Sequence, residues 1–184
     1  MKKLLLITLS LVPFLCFSQD MSKYVIEADG EYLSFEDVVK SDSTLKAGQL
    51  YSKGVEWFAT TYKNSRSVLQ MQDKESGIII GKACFGLRIP PKGIMPSFYD
   101  DVFYTIKIYF KDGRIKYSIS QFNPEKQPMG IMKTGSVTKW PPMSKKLSIR
   151  LYDEYRDLCK AEALKIGNDL KYYFTNSSEL KKEW

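Results

Sequence analysis

The sequence predicts an α+β domain of two layers, a twisted antiparallel sheet with two helices on one face, in the order β-α-β-β-β-β-α. Three observations carry that prediction. Between Val102 and Gln121, apolar Val102, Tyr104, Ile106, Ile108 and Phe110 alternate with Phe103, Thr105, Lys107 and Tyr109; after Asp112-Gly113, Ile115, Tyr117 and Ile119 alternate with Lys116, Ser118 and Ser120. Period-2 alternation on both sides of such a dipeptide marks a β-hairpin with one buried face, and its type I′ turn requires positive φ at both central residues. The other two observations are helical apolar stripes, one over 45–63 and one over the long segment after Ser144.

The chain opens with Lys2-Lys3, an apolar run from Leu4 to Phe17, and Ser18-Gln19, the three-part pattern of a secretory signal peptide. That run is shorter than the ~20 residues a membrane span needs. Export to the periplasm or medium is therefore expected, with the mature chain starting at about Gln19 or Asp20 and no later span. A lipoprotein acylated at Cys16 is the rival, but Pro13-Phe14-Leu15 lacks the small residue such processing wants upstream. The expected organisation is a signal peptide over 1–19, an N-terminal segment over 20–33, one domain over 34–175 and a frayed tail over 176–184. Without Lys2 and Lys3 the net charge of +7 falls to +5, which favours acidic partners without specifying one.

Phe35 to Val39 reads as the first strand, and Ser41 to Thr44 offer N-cap residues for the helix that follows. Along 45–63, Ala47, Leu50, Tyr51, Gly54, Trp57, Phe58 and Thr61 share one side. Glycine inside a helix costs ~1 kcal/mol against alanine, so Gly54 implies a close approach to the sheet. Ser67–Gln72 and Ile78–Leu87 read as strands joined by a polar loop ending in Gly77. Prolines 90, 91 and 96 make the next segment a loop, because proline removes a ladder donor, and 123–143 is a second irregular region. In the last helix Leu147, Leu151, Tyr155 and Leu158 begin the stripe and Cys159, Ile166, Leu170 and Tyr173 continue it, with Gly167-Asn168 as a bend or end. Cys84 and Cys159 read as small buried hydrophobes rather than as a bridge, whose geometry is demanding.

The run Trp57-Phe58 to Tyr62, then Ser67-Val68-Leu69-Gln70, then Asp73 to Gly77 and Ile78-Ile79-Ile80-Gly81-Lys82 resembles a family of secreted Gram-negative bacterial domains of unknown function with a TATA-binding-protein-like (TBP-like) fold. Ala83 stands where the family pattern has a further glycine, and the likeness extends over about Phe35 to Phe122 plus the last helix. The resemblance implies a fold and an exported address; it brings no activity and no functional residues.

Histidine is absent, which excludes His-activated nucleophiles and the usual mixed zinc sites, and neither phosphate-binding nor dinucleotide-binding glycine motifs occur. Gly77 to Lys82 lies in a strand pattern rather than opening a helix, so it is structural. No cofactor or metal is expected. Asp100-Asp101 read as water-contacting residues just before the central strand. Glu162, between Leu158 and Ile166 on an apolar stripe, is expected at the rim of the sheet; buried, it would need a cation or several donors.

The outward sheet face collects Thr105, Lys107, Tyr109, Lys116, Ser118 and Ser120. Nucleic-acid binding by the namesake fold uses a sheet face, but an exported chain has little nucleic acid to meet, so none is expected. The leading reading is a non-enzymatic binding module of the cell envelope, whose partner, a protein or acidic ligand, meets Lys107, Tyr109, Lys116 and Ser118, with Ile94 and Met95 as an apolar loop anchor. The rival is a hydrolase using carboxylates without histidine or metal; a cleft holding two or more convergent acids would favour it.

Overall fold

The computed structural model describes residues 33–91, 97–126 and 145–176, the last group as backbone alone over 145–152. The expected signal peptide and Cys16, most of the 20–33 segment, Ile94 and Met95, the packing of Leu147 and Leu151, most of the 123–143 region and the tail lie outside the described residues.

The elements are β1 (Ser34–Lys40), α1 (Ala47–Thr61), α2 (Ser65–Val68), β2 (Leu69–Asp73), β3 (Ile78–Ile89), β4 (Phe98–Lys111), β5 (Arg114–Pro124) and α3 (Lys145–Asn176). The five strands form one antiparallel sheet in the order β1-β5-β4-β3-β2. Because β1 and β2 are opposite edges, α1 and α2 carry the chain across the sheet before the four-strand meander returns it to β1. Both long helices pack on one face, as the stripes predict. Phe35, Ile119, Ile106, Ile108 and Ile79 from the strands meet Leu50, Trp57 and Phe58 of α1 and Cys159, Ile166 and Phe174 of α3 in one buried core.

Three close approaches set the spacing of the layers. A methyl group at Gly54 would overlap the Phe110 ring, one at Gly81 would lie 2.5 Å from the Phe58 ring, and one at Gly167 would overlap the Tyr117 hydroxyl. Gly167 thus does not end α3, which runs on to Asn176. The buried stripe of this helix takes in Ala163 and Phe174 beside Tyr155, Cys159, Ile166 and Leu170, while Leu158 and Tyr173 are only partly buried.

Several local expectations are corrected. Ser67 and Val68 belong to a helical turn, closed by amides that donate to the Asn64 carbonyl, so β2 starts at Leu69. Among the described non-glycine residues only Gln121 has positive φ, so the hairpin turn is not type I′; Gly113 alone adopts the left-handed region there. The turn is instead held from outside, by Ser41 N–H donating to the Gly113 carbonyl and Gly113 N–H donating to that of Leu45. At Gln121 a bulge places two β5 residues opposite one β4 residue, so Ile119 and Phe122 both face the core despite their odd spacing.

The N-terminus of α1 is capped across the fold rather than by Ser41–Thr44. Asp42 is spent on Thr44, accepting from its amide at 2.9 Å and its hydroxyl at 2.7 Å. Asp112 in the hairpin accepts from Ala47 N–H at 2.9 Å and from Lys46 Nζ at 3.0 Å. The Ala47 amide and then Lys46 hold the Asp112 carboxyl below its ordinary value of 3.8. A depressed carboxylate adds stability that is fully present above the ordinary value and is lost as pH falls through the folded one. Asp112→Asn should therefore lower the thermal midpoint at neutral pH, and the gap to wild type should close as the pH drops below 3.8. A gap constant down to strongly acid pH would show that charge has no part in this cap.

Candidate functional site

The register places the expected partner face on adjoining strands. Tyr109 pairs with Lys116 and Lys107 with Ser118 across β4 and β5, and Ile80 pairs with Lys107 and Lys82 with Thr105 across β3 and β4. Lys82, Lys107 and Lys116 therefore occupy diagonal positions on three consecutive strands. Diagonal neighbours on one sheet face are ~7–8 Å apart, near enough for their fields to sum. Lys116 pairs with Glu36 Oε2 at 2.7 Å, whereas Lys82 and Lys107 have no ion pair among the described residues. Tyr109 stands 37 % exposed beside this line, with exposed Val38 and Met71 on the same face.

Two members of that face are corrected. Ser118 is only 7 % exposed, wedged between its β1 and β4 neighbours, and Thr105 is buried with its hydroxyl donating to Gln121 Oε1 at 2.8 Å. Neither offers a polar atom to a partner. Lys82 was not singled out from the sequence, although its alternation with Ile79, Gly81 and Ala83 on β3 puts it on the outward side. Cys84 is exposed rather than buried, Cys159 is buried as expected, and no disulfide joins the two.

On the helix side, a cleft of about 510 Å³ opens between α1, α3 and the sheet. Trp57, Tyr62, Tyr104 and Tyr173 form its aromatic walls, and Glu162, Lys165 and Asp169 are the charged residues lining it. Trp57 and Tyr104 line it while remaining buried in the core, so Tyr62 and Tyr173, both half-buried, supply its accessible aromatic surface. The Trp57 indole N–H donates to Asp169 Oδ2 at 2.7 Å, and the Tyr62 and Tyr104 hydroxyls share a hydrogen bond of 3.3 Å. Glu162 lines the cleft, its side chain 19 % exposed, with Lys165 Nζ at 3.4 Å.

Burial pushes the Tyr104 hydroxyl up to about 12, and the Glu162 carboxylate adds to this. Tyr62 is pushed well above the usual phenol range by burial, then by Tyr104, Glu162 and Asp169; Tyr173 is raised by burial and then by the Glu56 carboxylate. These tyrosines are neutral hydroxyls at physiological pH, each able to donate one hydrogen bond and accept others. The sequence marked Glu162 but not Asp169, which falls where Gly167-Asn168 suggested a helix end.

Asp100 departs most from expectation. It lies inside β4, not before it, and is 3 % exposed on the core face opposite Leu87. Its Oδ1 accepts from the Asp101 amide at 2.8 Å and the Lys126 amide at 2.9 Å, and its Oδ2 accepts from the Tyr155 hydroxyl at 3.0 Å. With both oxygens occupied by structural donors, this carboxylate is a clasp between β4, the end of β5 and α3. Among the described residues no group of three or more acids and cysteines is placed to hold a metal ion, and no helix is long and apolar enough to cross a membrane.

A family model described as a domain of unknown function (DUF4468) with TBP-like fold matches residues 35–124. A DUF4468 family protein from Bacteroides ovatus ATCC 8483, solved by crystallography, superposes with a TM-score of 0.63 at 16 % identity, covering 85 % of this chain and 95 % of that one. A TBP-like protein from Parabacteroides distasonis ATCC 8503 gives a TM-score of 0.60 at 13 % identity, covering 81 % of this chain and 96 % of that one. No curated protein matches the sequence.

Proposed function

Through residues 35–124 the chain belongs to the DUF4468 family with TBP-like fold, and from that premise we propose that it is a non-enzymatic binding module, exported to the cell envelope, that docks an acidic protein surface on the sheet face away from the helices. The observation that carries this reading is the Lys82–Lys107–Lys116 diagonal, two of whose three cations have no ion pair among the described residues. Like charges set diagonally on one face repel one another, and a partner's carboxylates relieve that repulsion. Tyr109, Val38 and Met71 beside them give such a partner apolar area to bury, tyrosine at low entropic cost. Support for an exported address comes from the Lys2-Lys3 and Leu4–Phe17 pattern.

The alternative, a carboxylate-dependent hydrolase, draws on the two acids of the cleft. Asp169 already accepts the Trp57 indole and Glu162 faces Lys165, so neither is set against the other as an acid/base pair would be. Binding is the reading the geometry supports better.

Affinity capture from the periplasm and the medium tests it. Lys82→Glu with Lys107→Glu should abolish capture of the partner, as rising salt does with the wild type, while the double variant keeps the wild-type far-UV circular dichroism and a cooperative unfolding transition. A double variant that retains the same partner with the same salt dependence would leave this face as a wetted surface.

A further inference from the structure

We propose that the cleft between α1 and α3 is a binding site for a small organic ammonium ion, a site separate from the sheet face and independent of what docks there. In a chain of net charge +7, this cleft is lined by two carboxylates against one lysine, so its own balance is negative. Its volume of about 510 Å³ falls in the range of small-ligand pockets, ~300–1,000 Å³. The rings with surface to meet a ligand are those of half-buried Tyr62 and Tyr173, and an aromatic π face beside carboxylates is the chemistry that recognises an alkylammonium group. The acceptors are in place. Exposed Asp169 spends one oxygen on the Trp57 indole and keeps the other, and the half-buried Tyr62 hydroxyl, hydrogen-bonded to buried Tyr104, keeps a lone pair for an ammonium N–H. Among the described residues Glu162 is paired with the chain's own Lys165, whose side chain is 76 % exposed and 3.4 Å away. That loose contact is what an incoming ammonium group displaces, so Lys165 acts as a competitor.

The probes are n-butylammonium chloride and n-butanol, which share an alkyl chain and differ in charge. Each is titrated at constant ionic strength into the ¹⁵N-labelled protein, and the Trp57 indole N–H signal is followed, assigned as the one that survives Trp140→Phe and Trp184→Phe. Butylammonium should shift it saturably and butanol at equal concentration should not. Glu162→Gln should weaken binding about fivefold and Lys165→Gln should tighten it about fivefold, the scale of one partly exposed charge pair. Opposite effects of the two variants distinguish a ligand site from a merely structural role of either residue. No shift with butylammonium, an equal shift with butanol, or an affinity that neither substitution changes would each overturn the proposal.

Discussion

Phe58→Ala will lower the free energy of unfolding by about 3–5 kcal/mol, the cost of emptying a large buried aromatic site. The ring is fully buried, packed edge-on against Trp57 with centroids 4.9 Å apart and stacked on Tyr62 at 5.8 Å. It also lies over Gly81, which has no side chain to move into the space, so the cavity collapses poorly. Domains of this size are stable by only ~5–15 kcal/mol, so the variant should be marginal at physiological temperature. Urea unfolding beside Thr60→Ala, on the exposed side of the same helix, gives the comparison. Equal midpoints for the two variants would mean that α1 draws its stability from contacts other than this ring.

Asp100→Ala is the second large effect, at about 3 kcal/mol, because it strips the acceptor from three donors at once and leaves the buried Tyr155 hydroxyl without a partner. Tyr155→Phe should cost less, about 1–2 kcal/mol, since the ring still packs and two amides still hold the carboxylate. The double variant should cost less than the sum of the singles, the mark of two groups sharing one bond. Asp101→Ala, one residue along and exposed, should change stability by no more than ~0.5 kcal/mol. If Asp100→Ala proves as mild as Asp101→Ala, the carboxylate is not what ties α3 to the strands.

What the sequence made legible was whatever repeats with a period. The alternation of Val102 to Phe110 and Ile115 to Ile119, and the Leu50–Trp57–Phe58 stripe, were readable because burial imposes 2.0 or 3.6 residues per repeat, and both helices do lie on the apolar face. Contacts made by single residues over long separations were not readable. Asp112 looked like a turn residue and serves as the helix cap of Ala47, 65 residues away in sequence. Asp100 looked like a wet strand start because β4 continues past Val102 to Phe98, and nothing local signals those extra residues. The bulge at Gln121 follows the same logic: a left-handed residue is usually glycine, so a glutamine there gives no warning that the alternation shifts phase. The site was legible in the same proportion. Lys107, Tyr109 and Lys116 do stand together, whereas Lys82 and Asp169 become members only once strand register and the full length of α3 are known.

The contacts of Gly54 with Phe110, Gly81 with Phe58 and Gly167 with Tyr117 bear on how such a chain can change over generations. In each pair one position gives up its side chain so that the ring of the other has somewhere to lie. Neither partner is free to drift alone, since enlarging the glycine evicts the ring and shrinking the ring leaves a void. Divergence at these six places must then proceed by coupled exchanges, glycine to alanine with aromatic to aliphatic. At 16 % identity with a protein of the same fold, these pairs are where exchanges are expected to be coupled rather than independent.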